Sequence, residues 1–349
     1  MENTKETLAL APCLINSMCK HYFTLTVALA DTKNLPWYHE NYNNIFFVAS
    51  NDMEVFDYCG NHIRSERPCD VVHVSEVNWI LFSCIGDLTN FVIDSISNGT
   101  YVLFNRIDIG KLLHIKTKEL SDVMVYGYDL TKQVFYLSYI CETVKRGEIC
   151  FWTLETIMNY HSSEFPFPYP LTLLARKKTF MSYPFSIEQF AKQLHYYLNG
   201  TAEQDVSYYN SLVINGNTNV WFGMNVYAVI IDKIEKAIGN GGVGYYSLVN
   251  FKVEHSLKVI DSINFLFERH YIDPCEEIQE ILEPFKTIAL RTRNLALKIC
   301  AKKAGTMRGS KEEHRLIAAI IKMQENEKEL LNRVEMYLTK NLTLTQRKG

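Results

Sequence analysis

The chain has 349 residues, 47% of them hydrophobic and 21% charged. That is enough apolar material for two ordinary domains, and it excludes a disordered or fibrous protein. Lysine and arginine number 36 against 39 acidic residues, a formal charge of -3, so bulk charge draws the molecule neither to nucleic acid nor to an anionic membrane.

The stretch Met1 to Glu6 is polar, and the apolar run from Leu8 to Met18 is broken by Pro12 and Asn16. This fits a secretory signal badly, and the mature chain is expected to start at Met1. The longest apolar runs, Val220 to Ile231 and Trp79 to Ile85, fall short of the roughly 20 residues that cross a bilayer. Nine cysteines are scattered along the chain rather than gathered in the dense framework of a small secreted domain. They are read as reduced thiols of a cytoplasmic protein with no membrane span.

From Cys13 to Ala30 apolar residues recur at helical spacing, and the run Asp31 to Pro36 stops the helix. The segments Val71–Val74, Tyr101–Phe104, Val123–Tyr126 and Val134–Tyr139 are β-branched or aromatic, with Gly127 to Lys132 as a hairpin connection. They predict a small, mainly antiparallel sheet. Helices are predicted over Leu81 to Ser97 and Thr153 to Tyr160, which makes the first half α+β. Alternating prolines in Glu164-Phe-Pro-Phe-Pro-Tyr-Pro170 set a boundary, giving domains 1–172 and 173–345. The second is expected to be all-helical, with helices over Ser186–Leu198, Trp221–Ile238, Tyr245–Arg269, Cys275–Lys303 and Ser310–Leu338. The last two are expected to run antiparallel across the short join at 304–309.

Several stretches invite chemistry and lose it on inspection. The cluster Gly239-Asn-Gly-Gly-Val-Gly244 follows a helix rather than a strand, so it reads as a loop and not as a phosphate cradle. The histidines and cysteines lack zinc-ligand spacing, and no metal or cofactor is expected. Basic residues gather at Arg291, Arg293, Lys298, Lys302, Lys303, Arg308 and Lys311. They read as a solvated helix face, with docking of an acidic partner as the alternative. Cys19, in Ser17-Met-Cys-Lys-His21, has a nucleophile's setting if the helix dipole and a nearby base hold it as thiolate. A helical cysteine is more often a small buried hydrophobe, and Cys13 competes for the position at the helix start.

A helix bearing Cys19, then Ser121-Asp-Val-Met-Val-Tyr-Gly-Tyr-Asp129, a hairpin, and the strand Val134–Tyr139 resembles the papain-like fold of the butirosin biosynthesis protein H-like family. That family is itself similar to bacteriocin-processing cysteine peptidases. Phe185 to Asn199, Trp221 to Tyr227, Phe251 to His255 and Arg291 to Lys298 resemble its later helices. The resemblance implies amide-forming acyl transfer in secondary-metabolite biosynthesis, from an acyl or peptidyl carrier protein through Cys19 to an acceptor amine. It also implies a histidine base where Ser121 stands, beside Asp122, and an acid near Ser138. A hydroxyl is a poor base, and general-base help is worth a factor of about a hundred to ten thousand. The base then falls to His114, since His21 lies on nearly the opposite helix face from Cys19, or the chain is a degenerate scaffold that binds a carrier or synthetase partner. A peptidase is the third reading.

Overall fold

A computed structural model describes residues 4–11, 22–49, 54–59, 71–113, 120–141, 143–156, 170–178, 182–202, 219–240, 245–303 and 310–346. Along the first half run β1 (Lys5–Thr7), α1 (Tyr22–Ala28), α2 (Leu35–Asn41), β2 (Ile45–Ala49), β3 (Glu54–Tyr58), β4 (Val72–Val77), α3 (Trp79–Ser83) and α4 (Leu88–Ser97). Then come β5 (Thr100–Asp108), α5 (Ile109–Leu113), β6 (Leu120–Asp129), β7 (Val134–Cys141), β8 (Thr143–Cys150), a short helix α6 over 151–156, and β9 (Leu171–Arg176). The remainder comprises α7 (Ile187–Leu198), β10 (Asn219–Phe222), α8 (Val226–Asn240), α9 (Tyr245–Glu268), α10 (Glu276–Lys303) and α11 (Ser310–Gln346). The chain is α+β, and it divides into two compact units: Met1–Leu35 with Asn61–Tyr183, and Pro36–Gly60 with Pro184–Gly349.

The first unit is built on an antiparallel sheet in the order β4-β9-β5-β6-β7-β8, with β1 added beside β6. Two-residue alternation sorts its side chains. Val102, Phe104, Val123, Val125, Phe135 and Leu137 line one face and pack with Val92 and Ile96 of α4; each such burial contributes about 1.5–3 kcal/mol. Asp87 starts α4 by accepting the Asn90 amide at 2.8 Å. The opposite face receives α1, all seven residues of which are buried. Tyr22 Oη lies 3.2 Å from Ser138 Oγ of β7.

Along one edge of β6, β5 pairs with Leu120 to Val125 and β1 with Gly127 to Asp129. A Cβ on Gly127 would stand 2.7 Å from the Glu6 carbonyl oxygen and 2.9 Å from the Tyr136 ring. Only glycine lets the two strands approach this closely.

Each strand segment expected between Val71 and Tyr139 overlaps a strand of the sheet. The helix expected over Leu81 to Ser97 is two helices, because Asp87 caps the second and so ends continuity with the first. The second half is not all-helical, which corrects the expectation. β9 returns to the large sheet, and β10 pairs with β2, which pairs with β3, in a separate three-stranded antiparallel sheet. β10 takes Trp221 and Phe222 from the start of the helix expected over Trp221–Ile238; with Val220 their β-branched and aromatic side chains suit a strand. The proline-rich boundary also differs from the division seen, because Pro36–Gly60 belongs to the second unit and β9 to the first.

α2 and five long helices, α7 to α11, are further elements of the second unit among the described residues. Tyr337 Oη, late in α11, donates to the Asp273 carbonyl just before α10 at 3.1 Å. The start of α11 therefore lies at the far end of α10, and the two helices run antiparallel.

Candidate functional site

Of the residues expected to act on an acyl group, Cys19, the alternative Cys13, His21 and His114 lie outside the described residues. Ser121 and Asp122 stand near the start of β6. Alternation puts Ser121 on the face of Val123 and Val125, which α4 covers, and Asp122 with Met124 on the face of α1. The Ser121 hydroxyl donates to the Asp122 carbonyl at 3.4 Å. Ser121 is thus turned away from the helix that follows Cys19 in the chain.

Asp122 is held by a β-bulge. Phe104 and Ile107 of β5 pair with Val123 and Ser121, so Asn105 and Arg106 together oppose Asp122. Arg106 sits at φ 56, in the left-handed region, where a side chain costs roughly 1–2 kcal/mol. Asp122 Oδ1 accepts the Arg106 amide at 2.8 Å, supplying a partner for the amide that the bulge removes from the ladder. On β7, Ser138 is fully buried and pairs across from Met124. Its hydroxyl meets Tyr22. The α1 face of the sheet therefore carries Asp122 and Ser138 on neighbouring strands.

A second polar centre lies within the helices of the second unit. Glu327 of α11 has no exposed surface and is met on both oxygens. Oε2 accepts from Tyr197 Oη at 2.8 Å, Tyr227 Oη at 2.7 Å and Lys252 Nζ at 2.8 Å; Oε1 accepts from Ser256 Oγ at 2.8 Å and Lys252 Nζ at 3.0 Å. Burial draws the Lys252 amine below its ordinary range against the pull of the carboxylate, and burial with the carboxylate pushes both phenols well up. Every lone-pair direction of the carboxylate is taken, so the cluster is a fastening of α7, α8, α9 and α11 rather than an open reaction centre.

Sequence reasoning missed this centre, since only the basic residues from Arg291 to Lys311 were weighed among the polar residues of the helices. The signal is the recurrence of Lys252, Ser256, Val259 and Ile263 in α9 at steps of three to four residues, all buried. Among the described residues no helix is long and apolar enough to cross a membrane. Compared with known proteins, the chain matches no family model and no curated protein.

Proposed function

We propose that the protein is a thioester-handling acyltransferase with a papain-like first unit. In this reading Cys19 takes an acyl or peptidyl group from a carrier protein and gives it to an amine. One observation carries the reading: α1, whose first described residue follows Cys19 by three positions, is buried against an antiparallel sheet with its start beside Ser138 of β7. A helix N-terminus in such a place favours a thiolate and supplies backbone N–H groups to an oxyanion.

The Cys19 sulfur attacks the thioester carbonyl, and collapse of the tetrahedral intermediate releases the carrier thiol. The amine then attacks the acyl-cysteine, loses a proton to a base, and expels the thiolate as the amide forms. Ser121 takes no part, being on the other face of β6. The base is His114 or Asp122, whose Oδ1 accepts the Arg106 amide.

The degenerate scaffold is the second reading, favoured by the hydroxyls at positions 121 and 138. Intact-protein mass spectrometry after incubation with an acyl-carrier thioester tests both. An acyl adduct mapped to Cys19 and lost in Cys19→Ala supports transfer; saturable carrier binding with no adduct overturns it in favour of the scaffold.

A further inference from the structure

Inside the second unit the His255 and Lys258 side chains meet Asn43, the His39 imidazole lies within the field of Lys258, and the chemistry proposed above uses none of the three. His39, on α2, is 7% exposed. Its Nδ1 lies 3.0 Å from Ser262 Oγ, and its ring stacks on Phe265 at 4.2 Å. Because the Ser262 hydroxyl already donates to the Lys258 carbonyl at 2.9 Å, the imidazole Nδ1 carries the proton. His255, on α9, is fully buried and places Nε2 at 3.0 Å from the Asn43 carbonyl, which fixes a proton on Nε2. Its Nδ1 is also buried and has no hydrogen-bond partner among the described residues. Lys258 Nζ donates to Asn43 Oδ1 at 2.8 Å, 5.0 Å from the Tyr38 ring centre. The Asn43 amide in turn donates to the carbonyls of His39 at 2.7 Å and Glu40 at 3.0 Å. One asparagine thus ties the end of α2 to α9, and its two bonds to α9 are both made with bases.

Among the described residues no carboxylate lies within ion-pair distance of His39, His255 or Lys258. The Glu40 carboxylate accepts the Ser186 amide at 2.6 Å. Asp261 acts on Lys258 only through its field. Lys252, already paired with Glu327, faces His255 along with Lys258, and the rings of Tyr58 and Tyr197 complete its walls. Burial accordingly lowers His39 to about 3, and it holds His255 and Lys258 well below their ordinary ranges.

We propose that the stretch 36–44 is a proton-operated latch on α9, shut while the His39 and His255 imidazoles are neutral and released as the medium turns mildly acid. A second proton on His255 meets no acceptor at Nδ1, and imidazolium charge on either ring lies in the field of Lys258 in a dry setting. Once the stretch lets go, water reaches the imidazoles and they titrate near 6.5. The Lys252–Glu327 pair on the same helix keeps α9 bound to α11 meanwhile, so release is local.

Hydrogen exchange of the full chain at pH 7.5 and 5.5, corrected for the intrinsic pH dependence, tests the latch. Each histidine raises the opening constant about tenfold over that interval, so peptides within 36–44 should open about a hundredfold more readily. Peptides from 252–263 and 320–335 should keep their protection. His39→Gln and His255→Gln should each remove about tenfold of the rise. Unchanged protection of 36–44 at pH 5.5, a loss shared equally by those other helices, or a full rise surviving in both variants overturns the proposal. Should a variant fail to fold, ring-proton NMR of the unsubstituted chain decides: either histidine titrating near 6.5 while 36–44 stays protected is equally fatal.

Discussion

Lys252 Nζ lies 2.8 Å from Glu327 Oε2, with the two side chains 2% and 0% exposed. A buried pair of this kind gains little over a well-packed apolar pair, yet removing one partner strands the other charge at a cost of about 3–5 kcal/mol. Glu327→Ala should therefore lower the unfolding free energy of the second unit, measured in urea, by that amount, and Lys252→Met by a similar one. The double change Lys252→Met with Glu327→Leu should recover part of the loss. Additive losses in the double variant would show that the pair does not act as one.

Gly127→Ala places a methyl 2.7 Å from the Glu6 carbonyl oxygen. Backbone on that side does not yield cheaply, and overpacking of this kind costs about 1–3 kcal/mol. The variant should lose stability by thermal unfolding, and amide exchange at Lys5–Thr7 should rise before that of β7.

The Asp122 carboxylate separates structural from chemical demands. Asp122→Asn keeps a carbonyl oxygen for the Arg106 amide, so stability should hold, whereas Asp122→Ala should cost about 0.5–1.5 kcal/mol. If Asp122 is the base, Asp122→Asn should slow aminolysis of the acyl-enzyme by about a hundredfold or more. If His114 serves, the asparagine variant should keep its rate and His114→Ala should lose it. Single-turnover acyl transfer distinguishes the two.

Ser121→Ala tests the face assignment. Its side chain points to the α4 side of β6, so acylation of Cys19 should proceed at the unsubstituted rate. A loss of tenfold or more in adduct formation would place the hydroxyl on the reacting side. Tyr22→Phe removes the hydroxyl that meets the fully buried Ser138, and should lower stability by about 1 kcal/mol.

The strands that carry a two-residue alternation, β5, β6 and β7, were legible from sequence because one of their faces is wholly apolar. β8 was not, since Lys145, Arg146 and Glu148 break the pattern on an edge strand with little to bury. β9 lies just beyond the prolines that mark a domain boundary in the sequence. Its place between β4 and β5 is set by non-local pairing that no window of residues reveals. Alternation along β6, with Val123 and Val125 in the core, turns Asp122 rather than Ser121 toward α1, a distinction that depends on strand facing rather than residue type. The Glu327 fastening was hidden because its members are ordinary surface residues whose burial arises only when four helices meet.

The pairing of β2 with β10 also bears on how the chain is made. β2 and β3 leave the ribosome together, but the strand that covers the other side of β2 follows roughly 170 residues later, about 8–35 s at ordinary rates of synthesis. During that interval Phe46, Phe47 and Val48 form a bare ribbon next to solvent, the kind of edge that recruits foreign strands. Nascent chains stalled before residue 219 should therefore need shelter by a holding chaperone that chains extended past α8 do not.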